Sequence, residues 1–223
     1  MRVLLVHGWG YGPEIWQRVI VRLGKAHDII CADLGFRGHT DIPTGHFDVA
    51  VGHSLGVPWL LSQAEISWDE LVSINGFTRF CAGEGFPEGV PPRFVDRMMR
   101  KLPKACDSVL QDFYALCETS FETGGEFGEK QESRFMTTAD GAPDVERLMW
   151  GLEFLRDQDL RSRIDPASTT VLASRSDLVV SEAMTQHLFP DLEINWCEEA
   201  GHLLPWQNPD LCSHHILKAG IKR

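Results

Sequence analysis

"VAVGHSLGVPWLL", Val49 to Leu61, holds a polar His53-Ser54 pair between Gly52 and Gly56, with apolar or small residues on both sides. The residues ahead of the pair, "DVAVG" (Asp48 to Gly52), are short and Val-rich, which reads as a buried strand of a parallel sheet. Those after it, "LGVPWLLSQAE", read as a helix in which Pro58 must fall within the first turn, where its missing N–H does no harm. Strand, glycine, serine, glycine, helix describes a sharp corner. Bulkier flanking residues would collide across so tight a turn, and the central residue of such an elbow takes a strained backbone conformation.

The same alternation continues on both sides. "RVLLV" (Arg2 to Val6), "DIICADL" and "ELVSIN" read as strands, and "PEIWQRVIVRLGKA" puts Ile15, Trp16, Val19, Ile20 and Leu23 on one helical face with Gly24 as its stop. "GFTRFCAGEGFPEGVPP" (Gly76 to Pro92) is dense in Gly and Pro and reads as a linker leaving the sheet. Beyond it "RFVDRMMRKLP", "DSVLQDFYALCETSF" and "APDVERLMWGLEFLRD" are helical, with no convincing strand among them. "TTVLAS" (Thr169 to Ser174) resumes the strands, followed by a helix around "SEAMTQHLF", a strand "LEINWCE" and a closing helix after Asn208-Pro209. Strands alternating with helices predict an α/β protein with a mostly parallel central sheet flanked by helices. The expected organisation is a core of residues 1–76 and 156–223 with residues 77–155 inserted as a helical cap.

Composition narrows the function classes. At 223 residues the chain can bury one sizeable core, so one domain with an insertion fits better than two equal domains. No run reaches the ~18 apolar residues of a membrane span, and "MRVLLVHGWG" lacks the cleavage site of a secretory leader and is wanted as a strand. A cytoplasmic location without membrane association is expected. The six cysteines, Cys31, Cys81, Cys106, Cys117, Cys197 and Cys212, show no CxxC spacing and read as free thiols in a reducing compartment. A formal charge of -11 argues against general nucleic-acid binding, which needs a basic surface to neutralise phosphates.

GHSLG is a GxSxG pentapeptide in the strand-to-helix context that gives that motif its meaning, which makes Ser54 the candidate nucleophile. A serine hydroxyl is weakly nucleophilic at neutral pH and needs a base that an acid orients. His202 in "EEAGHLLPW" follows the last strand and is the candidate base; His27, His39, His46, His187, His214 and His215 sit in surface-like or terminal settings, and His53 points elsewhere. Asp177 in "VLASRSDLVVS", just past the strand Thr169 to Ser174, is the candidate acid, whereas Asp165 and Asp191 precede strands and lie at the wrong edge of the sheet. Glu198 and Glu199, close to His202 in sequence, remain alternative orienters. The chain order Ser, Asp, His is that of the α/β-hydrolases. An oxyanion needs two N–H donors: the Leu55 amide is one, and Trp9 in the turn "HGWGYG" supplies the other unless that stretch is a plain Gly-rich turn.

These residues resemble the α/β-hydrolase superfamily over nearly the whole chain. "VLLVHGWGYGPEIW", "GHSLG", "GLEFLRDQDLR" and "AGHLLPWQNPDLC" are similar to the pimeloyl-[acyl-carrier protein] methyl ester esterases of biotin synthesis. The resemblance implies an α/β-hydrolase fold and hydrolysis of the methyl ester of pimeloyl-acyl-carrier protein through an acyl-enzyme. It implies a Ser54, Asp177, His202 triad and Trp9 as an oxyanion amide; no metal or organic cofactor is expected. That family presents cap arginines to its acidic carrier protein; the helix matching them, "DSVLQDFYAL", has none, but Arg93, Arg97, Arg100, Lys101 and Lys104 crowd the stretch before it, countered only by Asp96. Such a patch suits an acidic partner, or is simply a solvated helix face. Phe80, Phe86, Phe94, Met98, Met99, Phe113 and Phe121 are candidates to line an acyl channel, one or two touching substrate and the rest being core. Two rival readings keep the same fold: a broad esterase or thioesterase for short acyl chains, and a hydrolase-like binding protein without turnover.

Overall fold

Six strands, each parallel to its neighbours, form the centre of the computed structural model, which describes residues 1–118 and 141–221. They are β1 (Arg2–Val6), β2 (Asp28–Ala32), β3 (Gly45–His53), β4 (Ile66–Ile74), β5 (Thr169–Ser174) and β6 (Ile194–Cys197), in the order β2-β1-β3-β4-β5-β6. Val3 to Val6 of β1 and Val49 to Val51 of β3 are wholly buried, as expected of strands covered on both faces. Edge strand β2 is only half-buried along most of its length. The strand order reverses between β1 and β3, and in open parallel sheets ligands bind at such a switch point, beyond the carboxyl ends of the strands.

Helices α1 (Gln17–Leu23), α2 (Gly56–Ser62), α6 (Glu182–Leu188), α7 (Leu204–Gln207) and α8 (Pro209–Ala219) flank this sheet. The predicted apolar face of the first helical segment is the buried one, but Pro13–Trp16 is a 3-10 turn that leads into α1. Local chemistry sets the helix starts. Ser181 accepts from the Met184 amide at 3.2 Å, and Asn208 accepts from the Leu211 amide at 3.1 Å with Pro209 in the first turn.

Between β4 and β5 the chain forms α3 (Pro92–Lys101), α4 (Cys106–Glu118) and α5 (Val145–Asp157), as the helical patterns predict. The two ends of this excursion meet: the Leu160 amide donates to the Thr78 carbonyl at 2.8 Å, and Arg79 pairs with Asp159 at 2.6 Å. Gly76 to Pro92 departs from the expectation of a bare linker. Its Gly and Pro residues make turns closed by Ala82–Val90 and Val90–Phe80 backbone bonds of 2.9 Å, while Phe77 and Phe86 are buried. No helix among the described residues is long and apolar enough to cross a membrane.

Candidate active site

The corner after β3 has the geometry its sequence demands. Ser54 has φ 53°, a left-handed conformation that costs a non-glycine residue roughly 1–3 kcal/mol. A methyl group on Gly52 would come within 2.6 Å of the Val57 nitrogen, and one on Gly56 within 2.4 Å of the Val6 carbonyl oxygen. Both approaches are to backbone, so neither can be relieved by a side-chain rotation. The elbow therefore exists because these two positions lack a Cβ, and it turns the Ser54 side chain out at the carboxyl edge of the sheet.

His202 and Asp177 come to that hydroxyl from loops after β6 and β5. The Ser54 hydroxyl donates to His202 Nε2 at 3.0 Å, and His202 Nδ1–H donates to Asp177 Oδ2 at 2.8 Å. Asp177 Oδ1 accepts from the amides of Val179 (2.7 Å) and Val180 (2.9 Å), so both carboxylate oxygens are engaged and the group is held in orientation. This arrangement fixes the imidazole tautomer with a lone pair facing the hydroxyl. Glu198, an alternative orienter on sequence grounds, is instead exposed and paired with Arg175 at 2.8 Å.

Two backbone donors border the same space. Gly8 stands against the serine, where an added methyl would be 2.9 Å from Ser54 Cβ, so the turn after β1 folds over the elbow. Among the described residues the amides of Trp9 and Leu55 donate to no acceptor, although both residues are buried. Buried amides without partners are rare. The turn is pinned from several sides. His7 bridges the Leu34 amide (3.0 Å) and the Gly8 carbonyl (2.9 Å), Tyr114 donates to the Gly10 carbonyl, and Trp9 Nε1 donates to the Leu148 carbonyl at 2.9 Å.

Other nucleophiles are held back. Burial pushes the thiols of Cys31 and Cys81 up to about 11 and raises Cys117 and Cys106, so none of these is a thiolate at neutral pH. Among the described residues no group of three or more His, Cys, Asp or Glu side chains is arranged to hold a metal ion.

An apolar cavity of about 590 Å³ lies between the sheet and the α3–α5 layer, with Trp9, Leu178 and Val179 on its sheet side. Of the proposed channel residues, Phe80, Phe94, Met98 and Phe113 line it. Phe86 is buried against His187, Met99 packs beside Arg156, and Phe121 falls outside the described residues. Phe113 joins cavity to triad, its ring 6.4 Å from that of His202. At the rim Phe94, Leu116 and Leu178 are 49%, 49% and 59% exposed, beside Arg97.

The basic stretch divides. Arg93, Arg97 and Arg100 project from α3 and are exposed, as is Lys104 just beyond it; the spacing of the three arginines, four and three residues, keeps them on one helical face. Lys101 turns away to Asp112 (2.7 Å) and Ser108 (3.0 Å). Asp96, the only acid in the stretch, is drawn to Arg156 at 3.5 Å.

Sequence reasoning misses two residues behind the base. His53 does not sit idle: its ring is wholly buried, 5.0 Å from that of His202, and its Nε2–H donates to the His202 carbonyl at 2.8 Å. Burial, then the neighbouring His202, hold His53 well below the ordinary imidazole range, so it is neutral. Asn75 donates to that same carbonyl at 2.9 Å. Its only sequence signal is its position between a strand and Gly76, where Asn tolerates a left-handed turn. His215, which reads as terminal surface, is 7% exposed.

A model of the alpha/beta hydrolase family matches residues 3–214, and the chain belongs to that family. It is 26% identical over 180 residues to the pimeloyl-[acyl-carrier protein] methyl ester esterase of Pectobacterium carotovorum, across 71% of this chain and 68% of that protein. The protein of the same name from Salmonella heidelberg is 29% identical over 184 residues, across 73% and 69%. Among solved structures, an esterase from Exiguobacterium antarcticum superposes with a TM-score of 0.79 at 18% identity, covering 99% of this chain and 91% of that one, a likeness of fold alone.

Proposed function

We propose that this hydrolase is a serine carboxylesterase in which Ser54 is the nucleophile, His202 the general base and then acid, and Asp177 the group that orients the imidazole. The observation that carries the reading is the unbroken relay from Asp177 through His202 to a hydroxyl on a left-handed elbow, with bonds of 2.8 and 3.0 Å. Ser54 Oγ adds to the ester carbonyl carbon as its proton passes to His202 Nε2. The carbonyl oxygen, now an anion, takes N–H bonds from Trp9 and Leu55. The alkoxide leaves with the proton from His202, and water drawn by the same imidazole attacks the acyl-enzyme to regenerate the serine.

The preferred substrate is the methyl ester of pimeloyl-acyl-carrier protein, the leaving group then being methanol. Relatives bearing that name support this choice, as does the apolar cavity, whose volume suits a medium acyl chain. Residues 77–155 act as the cap over that chain. Arg93, Arg97, Arg100 and Lys104 line the side where an acidic carrier would dock, with Lys101 contributing through α4 rather than directly. The reaction belongs in a reducing cytoplasm, which six free cysteines fit.

Hydrolysis of the carrier-bound methyl ester, compared with that of free short esters, tests this reading. Ser54→Ala is expected to abolish both and to block labelling by a fluorophosphonate. Reversing charge at Arg97 and Arg100 is expected to raise KM for the carrier-bound ester alone. Equal turnover of both substrates with no effect of charge reversal would leave a broad short-chain esterase or thioesterase, and absent labelling of Ser54 would leave a binding protein.

A further inference from the structure

Asn75 ends β4 in a left-handed conformation, φ 44°, one of two non-glycine residues with positive φ among those described; the other is Ser54. Its side chain is 1% exposed and fully used. Nδ2 donates to the carbonyls of Gly201 (2.8 Å) and His202 (2.9 Å) and lies 3.2 Å from Ser174 Oγ, while Oδ1 accepts from the Ser174 amide at 2.7 Å. One amide group thus ties the end of β5, which leads to Asp177, to the loop that carries His202. The His202 carbonyl receives a second bond from His53 Nε2, on the residue before the nucleophile. The loop is anchored through its carbonyls at 201 and 202 and through the Gly201 amide, which donates to Gln207 Oε1 at 2.8 Å.

We propose that Asn75 is a positioning residue that, with His53, sets the distance between His202 and Ser54. The inference rests on the triad reading above. Neither the hydroxyl relay nor the oxyanion donors explain why a strand end should adopt a left-handed conformation that aims an amide at a carbonyl beneath the base. Fixing that carbonyl does explain it: a base displaced by about 1 Å loses on the order of 100-fold in rate.

Asn75→Gly keeps the backbone conformation at no steric cost and removes every side-chain bond. Asn75→Asp keeps the acceptor for Ser174 but sets an oxygen against two carbonyls. On p-nitrophenyl butyrate, each variant should lower kcat by roughly 10- to 100-fold with KM within about twofold of the parent. The decisive arm repeats Asn75→Gly in a His202→Ala background, where no further loss of residual activity is expected because the group being positioned is gone. An equal loss in both backgrounds, an unchanged kcat, or failure of both single variants to fold would overturn the proposal and assign Asn75 to the fold. Should His202→Ala itself keep parental activity, the triad reading fails instead, a distinct result.

Discussion

Trp9 and Leu148 are joined across 139 residues: the indole Nε1–H donates to the Leu148 carbonyl at 2.9 Å, fastening the turn after β1 to α5. The same indole lines the apolar cavity, and the backbone amide of that residue is a proposed oxyanion donor. Acyl binding and oxyanion binding would therefore share one residue.

Trp9→Phe separates the two roles of that side chain. It keeps an aromatic ring in the cavity wall but removes the indole donor, so the turn loses its tie to α5. Stability should drop by about 1–2 kcal/mol, and kcat should fall more than KM rises because the amide moves. Urea unfolding and steady-state kinetics on a short free ester read the two effects. Unchanged kcat with lowered stability would limit the bond to a structural role.

Tyr114→Phe tests the second fastening of the same turn. Burial raises the Tyr114 hydroxyl to about 12, against the pull of Arg37, whose guanidinium donates to it at 3.2 Å, so the group remains an O–H donor to the Gly10 carbonyl. Removing it leaves a carbonyl unpaired beside the proposed oxyanion site. A kcat lower by roughly 10-fold, with the melting temperature down by a few degrees, is expected. Full activity in a folded variant would show that Trp9 and His7 hold the turn without it.

Gly52→Ala and Gly56→Ala should be among the most damaging single changes in the chain. Each methyl would lie inside the contact distance of a backbone atom, 2.6 Å from the Val57 nitrogen and 2.4 Å from the Val6 oxygen, so β1, β3 and α2 would have to separate. A cost of at least about 3 kcal/mol is expected, read by denaturant unfolding or by loss of soluble protein. Near-parental stability would mean the elbow can open without loss of packing.

Features written locally are legible in the amino-acid sequence alone. The elbow declares itself in five consecutive residues, and the strands in runs such as "RVLLV", because strand burial and tight turns depend on neighbours in sequence. Ser54, Asp177 and His202 follow from position relative to strand ends, since all the strands of a parallel sheet deliver their carboxyl ends to one edge. Asn75 and His53 are not legible in this way, because their roles depend on the His202 carbonyl, 127 and 149 residues away. The split of the basic stretch is hidden for the same reason: Lys101 and Asp96 are drawn off by Asp112 and Arg156, on other helices. Gly76 to Pro92 misleads because Gly and Pro mark turns without saying whether those turns fold back on a core supplied by Phe77 and Phe86.

His53 also makes stability depend on pH in a definite direction. Burial, then the nearby His202, depress its folded pKa, while in the unfolded chain it should titrate near 6.5. Above about pH 6.5 both states hold the ring neutral and its contribution is complete. As pH falls below that value the unfolded chain takes up a proton that the folded one refuses, and stability declines by about 1.4 kcal/mol per pH unit until the folded ring protonates. His215, also pushed down by burial, adds to the decline. Urea midpoints measured from about pH 7.5 to 5.5 should therefore fall toward acid. His53→Gln, which retains an N–H for the His202 carbonyl but cannot titrate in this range, should flatten that slope without removing the part due to His215. An identical slope in parent and variant would show that His53 protonates as readily folded as unfolded.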